Sequence, residues 1–180
     1  MLTPLQQRQH GTPVFIIPKK EGTVRFISDY HRLNHKLVRK PYPLHRIGET
    51  MQQLEGFQYS TSLDLNMGYY TIRLPPASQY MTRIVTEFVK FRYNRLPMGM
   101  CSSGDIFQAK VDDPLGNIES VNTYINDILV LCKDIFEKHI YQLIIIFGRL
   151  CASVVVDGRP ISMIPCTFFG SVLIPSLVIT

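Results

Sequence analysis

VNTYINDILVLCK, residues 121–133, is the most informative stretch of this 180-residue chain. Its first half alternates apolar and polar side chains from Val121 to Asn126, which is the period of a half-buried β-strand. Asn126 and Asp127 supply turn-forming chemistry, and ILVL, residues 128–131, is a short apolar run typical of a strand buried on both faces. The stretch therefore predicts a β-hairpin with the carboxylate of Asp127 at its tip.

A second acid stands at the end of another strand-like run. YSTSLDL, residues 59–65, carries Asp64 next to its last residue. A carboxylate at the end of a core strand costs free energy to bury unless a cation meets it, and hard divalent cations take oxygen ligands. Two such acids raise the hypothesis of a metal site. Each acid alone is more often a turn residue or a strand-end cap, so both interpretations remain open from these residues alone.

The charge of the chain is unevenly distributed. Residues 1–50 hold nine Lys and Arg against three Asp and Glu, whereas residues 51–180 hold ten against eleven, and the net charge is +5. A basic front part beside an acidic pair is typical of a protein that binds nucleic acid or nucleotides. A solvated basic face is the alternative. The length suits one domain, and 46% apolar content is enough for a core.

Two further features bear on location. The four cysteines have no CxxC spacing, which predicts reduced thiols in an intracellular protein, cytoplasmic or nuclear. Residues 160–180 carry no charge and are long enough to cross a bilayer. Three prolines and several hydroxyl side chains interrupt this segment, so we predict buried strands there, with a membrane segment as the alternative.

Periodicity and punctuation predict the remaining elements. Residues 1–11 are polar and predict an irregular edge, and TPVFIIPKKEGTVRF, residues 12–26, predicts strand, turn and strand. Further strands are predicted at 72–74, 88–96, 154–156 and 168–179. Helices are predicted at 47–54, from a cap at Ser102 or Ser103 to a stop before Pro114, and after a cap at Asp134. The last helix should lie on the sheet through its apolar positions: Phe136, Ile140, Leu143, Ile144, Phe147 and Leu150.

Many short motifs of this chain fall in the order of one known family. They are TPV at 12–14, KKEG at 19–22, Arg25, Asp29-Tyr30, Leu33-Asn34, YPL at 42–44, Ile47, LDL at 63–65, Gly68-Tyr69, Ile72, LPMG at 96–99, Phe107-Gln108 and YIND at 124–127. Together they resemble the reverse transcriptase domain of long-terminal-repeat retrotransposons of the gypsy/Ty3 type and of retroviruses. No single motif is specific, but their order over residues 12–150 is.

The resemblance implies an α+β fold, the right-hand polymerase with fingers and palm. Fingers would comprise residues 12–58 and 75–96, and palm residues 59–74 and 97–180, after an N-terminal edge at 1–11. The palm would be an antiparallel sheet backed by helices. Residues 151–180 diverge from the family pattern, and we expect this chain to contain the fingers and palm without a thumb.

The resemblance also implies the chemistry: attack of a primer 3′-hydroxyl on the α-phosphate of a deoxynucleoside triphosphate (dNTP), with two Mg²⁺ ions. Asp64, Asn126 and Asp127 would be the catalytic, metal-binding positions. The implied nucleotide-binding residues are Lys19, Lys20, Arg25, Met67, Gly68, Tyr69, Met98, Gly99 and Gln108. The implied partners are an RNA or DNA template-primer, dNTP and the remainder of a Gag-Pol-like polyprotein. The resemblance implies no small-molecule cofactor and argues against a membrane partner.

The chain departs from the family at a critical position, since the family has Asp where this chain has Asn126. An amide oxygen can touch a metal ion but brings no charge. If about 4 kcal/mol of stabilisation were lost at the transition state, the rate would fall about a thousandfold. We therefore expect little or no polymerase activity. Gly104, Asp105 and Arg83 also depart from the family pattern, as in a decayed copy. The alternatives are a non-catalytic nucleic-acid-binding module and an inert retroelement relic.

Overall fold

The structure, a computed structural model, describes residues 2–5, 11–20, 22–43, 56–65, 68–153 and 167–169. The fold is α+β. The chain divides into two compact units, each built from two separate segments. The first unit comprises residues 1–41 and 69–104, and the second comprises residues 42–68 and 105–180.

The first unit contains a five-stranded sheet with the strand order β1-β6-β5-β2-β3. All neighbouring strands in it are antiparallel except the pair β2 and β5. The strands are β1 (Leu2–Leu5), β2 (Thr12–Pro18), β3 (Val24–Ser28), β5 (Arg83–Val85) and β6 (Lys90–Tyr93). The first unit also contains two single-turn helices, α1 (His31–Asn34) and α2 (Pro76–Gln79). It has two 3-10 turns, Gly68–Thr71 and Tyr80–Thr82, and Gly68 itself belongs to the second unit.

The hairpin predicted at residues 12–26 is confirmed. β2 and β3 pair with Ile17 opposite Arg25, and Gly22 adopts a φ of 76°, a left-handed conformation that glycine tolerates best. The prediction of an irregular edge at residues 1–11 is wrong in part, because β1 pairs with β6 along its whole length. Beneath these strands lies a core of five buried side chains: Tyr30, Leu74, Ile84, Tyr93 and Leu96.

The second unit contains a four-stranded antiparallel sheet with the order β7-β8-β4-β9. Its strands are β4 (Tyr59–Asp64), β7 (Val121–Tyr124), β8 (Asp127–Cys132) and β9 (Thr167–Phe169). Two helices belong to this region, α3 (Ser103–Leu115), whose first two residues lie in the first unit, and α4 (Phe136–Ser153). β8 has buried Ile128, Val130, Leu131 and Cys132, as its apolar sequence predicts.

The central hairpin is confirmed, but its turn lies one residue earlier than predicted. Ile125 and Asn126 form the turn, and Asp127 is the first residue of β8. Ile125 has a φ of 55°, which is unusual for a β-branched side chain. The sequence placed the turn at Asn126-Asp127 because those residues favour turns, whereas the pairing of Tyr124 with Asp127 requires the turn before Asp127.

Helix α3 begins directly after Ser102, one of the two predicted cap positions, but it ends later than predicted. Ser103 is its first residue, and the Ser103 hydroxyl donates to the carbonyl of Pro97 at 2.7 Å. The helix continues through Pro114 to Leu115 instead of ending before the proline. A proline in the last turn removes a single helical hydrogen bond, and Arg149 Nη1 donates to the exposed Pro114 carbonyl at 3.1 Å.

Helix α4 is confirmed, and its predicted inward face is wrong in part, because only Leu143 and Leu150 of the predicted positions are buried. The buried positions are His139, Leu143, Ile146 and Leu150, whereas Phe136, Ile140 and Ile144 are exposed. The apolar residues are so dense along this helix that periodicity alone could not fix which stripe faces the sheet. The helix begins at Phe136, and the Asp134 carboxylate pairs with the side chain of Lys138.

Some predictions fall outside the described residues: the helix at 47–54, the strand at 154–156, and the strand at 168–179 beyond Phe169. The predicted strand at 72–74 is reduced to an isolated bridge between Arg73 and Arg95. Cys101, Cys132 and Cys151 are free thiols. In the described part of the chain, no helix is long and apolar enough to span a membrane.

His139 makes the stability of the second unit depend on pH. Its Nε2 lies 2.7 Å from the Thr61 hydroxyl, and burial lowers the pKa of the imidazole below its usual 6.5. The unfolded chain therefore binds this proton more readily, so the contribution of His139 is complete above pH 6.5 and declines as the pH falls towards the folded pKa. We expect a His139→Gln variant to lose less stability between pH 7.5 and 5.5 than the unmodified chain in urea denaturation. An equal loss in both proteins would contradict this.

Candidate metal centre and nucleotide site

The register of two adjacent strands brings the two predicted acids together. In the antiparallel pair of β4 and β8, Asp64 lies directly opposite Asp127. The backbone amide of Leu65 also donates to the carbonyl of Asn126, with 2.9 Å between nitrogen and oxygen. Residues 64, 126 and 127 therefore occupy one end of one sheet, although more than sixty residues separate them in sequence.

The electrostatics of this end favour a cation. Like charges directly opposite each other on neighbouring strands destabilise a sheet, and Asp64 and Asp127 are both exposed. The buried Oδ1 of Asn126 has no hydrogen-bond partner among the described residues. Two carboxylates and an unsatisfied amide oxygen are the hard oxygen donors that Mg²⁺ prefers. This set carries two negative charges, whereas three carboxylates would carry three. The described part of the chain contains no cluster of three or more His, Cys, Asp or Glu that could hold a metal ion.

The strained turn before Asp127 is held by Gln108 from helix α3. Gln108 is fully buried, and its Oε1 accepts the backbone amide of Ile125 at 2.6 Å. Its Nε2 donates to Asp112 Oδ1 at 2.9 Å and to the Thr123 hydroxyl oxygen at 3.0 Å. A positive φ at Ile125 costs free energy, and such a conformation persists only where the surrounding structure enforces it. The hydrogen bond from Ile125 to the Gln108 side chain holds the turn in this conformation. The contact of Gln108 with a nucleotide stays a prediction.

Sequence reasoning missed two members of this network, Asp112 and Thr123. The Thr123 hydroxyl donates to Asp112 Oδ1, so a helix carboxylate, a strand hydroxyl and the Gln108 amide satisfy one another. Gln108 and Asp112 are four residues apart, a spacing that places two side chains on the same helical face. That spacing was readable in the sequence, but the strand partner was not.

Another unexpected contact explains one departure from the family. Asp105 in the first turn of α3 is buried, and its Oδ1 accepts the backbone amide of Tyr42 at 3.1 Å. An acid is also favoured near the positive end of a helix dipole. Asp105 therefore ties the segment at Tyr42 to helix α3, which a small apolar side chain could not do.

The predicted residues that follow β4 are packed into the protein. Gly68 is buried, and a Cβ there would lie 2.4 Å from the Phe107 ring, so only glycine fits. Its amide donates to the Leu65 carbonyl at 3.2 Å. Tyr69 is half-buried against the first unit's core, and burial raises the pKa of its hydroxyl. Met67 lies outside the described residues.

The remaining predicted nucleotide-binding residues belong to the first unit. Lys19, Lys20 and Arg25 are exposed on the β2-β3 hairpin. Met98 and Gly99 are exposed in the loop after Leu96, where Gly99 adopts a φ of 94°. This φ favours glycine, and a Cβ at Gly99 would also lie 3.2 Å from the Ser28 carbonyl oxygen, which is a tight contact.

The first unit also contains an open basic cavity of about 530 Å³. Its lining includes three cations, Arg32, Lys36 and Arg83, against one carboxylate, Asp29. The guanidinium carbon of Arg83 lies 5.3 Å from the centre of the Tyr80 ring, which also lines the cavity. Cations beside an exposed aromatic ring are suited to a phosphate backbone with stacked bases.

Comparison with known proteins identifies the family. Residues 17–154 match the family described as reverse transcriptase (RNA-dependent DNA polymerase). The chain belongs to this family. It is 30% identical over 151 residues to the retrovirus-related Pol polyprotein from transposon 412 of Drosophila melanogaster, covering 78% of this chain and 12% of the relative. It is 32% identical over 151 residues to the Pro-Pol polyprotein of Simian foamy virus type 1, covering 81% of this chain and 12% of the relative.

Solved structures agree with the family. The protease-reverse transcriptase of prototype foamy virus matches with a TM-score of 0.76 and 29% identity, over 84% of this chain and 20% of that one. A foamy viral protease-reverse transcriptase in complex with an RNA/DNA hybrid matches with a TM-score of 0.74 and 26% identity, over 83% of this chain and 20% of that one. This reverse transcriptase domain thus spans about one eighth of the length of its polyprotein relatives.

The buried network of Gln108 gives a direct test of the hairpin's support. Gln108→Met preserves the side-chain volume but leaves the Ile125 amide, Thr123 and Asp112 without the amide partner. Because unsatisfied buried polar groups cost about 1–3 kcal/mol each, we expect the free energy of unfolding to fall by about 2 kcal/mol or more in urea denaturation.

Gln142→Met is the matched control for this prediction. Gln142 lies on helix α4, and its buried Oε1 has no hydrogen-bond partner among the described residues. Removing an unsatisfied oxygen should leave stability unchanged or raise it. Equal losses in the two variants would show that the Gln108 bonds do not support the hairpin.

Proposed function

We propose that this chain is the fingers and palm portion of a retroelement reverse transcriptase, and that it catalyses nucleotidyl transfer weakly or not at all. The fingers would comprise residues 12–58 and 75–96 and the palm residues 59–74 and 97–180. The first unit would then hold most of the fingers, and the second unit most of the palm. The observation that supports the proposal most strongly is the pairing of Asp64 with Asp127 beside the Asn126 turn. The substrates would be a template-primer and dNTP, as in the family to which the chain belongs.

Asp64, Asn126 and Asp127 would hold the metal ions. Bound there, two Mg²⁺ ions would align the attacking and leaving oxygens and neutralise the charge that develops on them. The carboxylates contribute attraction, whereas the Asn126 oxygen contributes only a dipole. Gln108 positions these donors indirectly, because it fixes the backbone of the residue that precedes Asn126.

The exposed cations of the β2-β3 hairpin would bind the triphosphate. Lys19, Lys20 and Arg25 carry three positive charges within one hairpin, which is suited to a polyphosphate. Tyr69 would lie under the sugar and exclude a 2′-hydroxyl. Met98 and Gly99 would line the nucleotide, and the basic cavity would meet the template backbone.

The charge missing at position 126 is the central test of this proposal. Asn126→Asp replaces the unsatisfied amide oxygen by a carboxylate at the same position. We expect Mg²⁺ to bind at least about tenfold more tightly to this variant in isothermal titration calorimetry, because a third charge adds attraction. Primer extension should be negligible for the unmodified chain and should rise in Asn126→Asp when a thumb domain is supplied.

Asp127→Asn in the Asn126→Asp background is the control, since it restores the original charge count. It should return Mg²⁺ affinity to the level of the unmodified chain. Unchanged affinity in Asn126→Asp would contradict the metal site. Robust extension by the unmodified chain would contradict the weak activity instead.

The second candidate function is binding of nucleic acid without catalysis. The basic cavity favours it, because three cations there face one carboxylate and an aromatic ring lies beside them. Binding of nucleic acid does not require a third acid, so it would not depend on whether position 126 is Asn or Asp.

Salt dependence measures this second function. Affinity for a template-primer should fall steeply with salt, and Arg32→Gln with Arg83→Gln should make the slope of log K against log salt shallower by about 0.7–0.9 for each lost phosphate contact. Lys133→Gln, which removes an exposed cation of the second unit, should leave the slope unchanged. An affinity that does not depend on salt concentration would contradict this function. Equal changes of the slope in all three substitutions would show that the basic cavity is not the binding surface.

A further inference from the structure

Two histidines of the first unit lie side by side on one helical turn. His31 begins helix α1, and His35 follows its last residue with helical backbone angles, φ of −64° and ψ of −22°. The His35 amide donates to the His31 carbonyl at 3.2 Å, so the two residues have true helical i, i+4 spacing. Their Nε2 atoms are 3.2 Å apart, and both side chains are exposed.

This geometry suits chelation of a metal ion as well as a hydrogen bond between the rings. The ring centres are 4.6 Å apart and the ring planes are inclined by 84°. For an ion bound to both Nε2 atoms at the usual Zn–N distance, the N–metal–N angle would be about 100°, which lies between the octahedral and tetrahedral values. Two histidines at i, i+4 on one helix face are a recurring pair of zinc ligands.

We propose that His31 and His35 form a bidentate site for a transition metal ion, Zn²⁺, Ni²⁺ or Cu²⁺, whose other ligands are water. Imidazole nitrogen selects these ions, whereas Mg²⁺ requires oxygen donors. The site is therefore chemically distinct from the Asp64 and Asp127 centre. It needs neither polymerase activity nor nucleic acid.

Hydrogen bonds on both sides of the turn order the backbone that carries the two histidines. Asp29 Oδ1 accepts the His31 amide at 3.0 Å, and the Asn34 amide donates to the carbonyl of the buried Tyr30 at 2.8 Å. A site whose backbone is already ordered pays less conformational entropy when the metal binds.

The bound ion would stabilise more than the helical turn. Asn34 lies between the two histidines in sequence, and its Nδ2 donates to the Gly99 carbonyl at 2.9 Å. Its Oδ1 accepts the Cys101 amide, also at 2.9 Å. The metal would therefore reinforce the turn that holds the loop at 99–101, and the melting temperature should rise with metal concentration because the ion binds the folded chain preferentially.

The test titrates the full-length chain with Ni²⁺ and Zn²⁺ by calorimetry, in a background where His10 and His45 are replaced by Asn. We expect one ion per chain to bind with a Kd below about 1 mM. His31→Asn or His35→Asn should weaken binding at least about tenfold, because the chelate is lost. Cu²⁺ electron paramagnetic resonance should show two equatorial nitrogens in the background protein and one in either variant.

His35→Asn combined with Lys36→His is the matched control. It keeps two histidines in the same turn but moves the second imidazole off the shared face, by about 100° around the helix. We expect this variant to bind as weakly as His35→Asn alone. Equally tight binding by the control, or an absence of binding to the background protein, would overturn the proposal.

Discussion

The antiparallel register of β4 with β8 is the constraint on which the rest of the candidate site depends. It sets Asp64 opposite Asp127, while the hydrogen bond from Leu65 to the Asn126 carbonyl fixes the adjoining turn. Side chains alternate between the faces of a strand, so a slip of one residue would move an acid to the opposite face of the sheet. The buried positions Leu63, Ile128 and Val130 prevent that slip, because each would then leave the core. Packing of the apolar core therefore decides where the acids meet.

A buried network of polar side chains fixes the turn that the strand register leaves undetermined. The turn before Asp127 contains a β-branched residue with positive φ, and Gln108 holds that turn from the interior of the second unit. This buried network is complete even though the acid that the family has at position 126 is absent. The hydrogen bonds that hold the turn therefore do not depend on an acid at position 126. Asp105, another departure from the family, has acquired a buried hydrogen bond of its own. These features are typical of a domain that keeps its fold.

Much of this arrangement could be predicted from the sequence, and the exceptions share a physical cause. Alternating and apolar runs predicted the β7-β8 hairpin, because local patterns determine whether a segment forms a strand. The inward face of α4 was predicted only in part. Isoleucines lie on several sides of that helix, so only tertiary packing determines that the side bearing His139 is buried. The strand β1 was missed because its partner β6 lies more than eighty residues away. The contact of Gln108 with the turn was missed for the same reason: a hydrogen bond between distant segments leaves no local signal.

The most direct measurement of the central claim is anomalous diffraction from crystals of the unmodified chain soaked in Mn²⁺, which replaces Mg²⁺ at oxygen sites. The account predicts an anomalous peak at the shared end of β4 and β8, with the carboxylates of Asp64 and Asp127 at about 2.2 Å and the Asn126 oxygen turned towards the ion. A well-ordered structure without a peak there, or with Asp64 and Asp127 out of register, would contradict it.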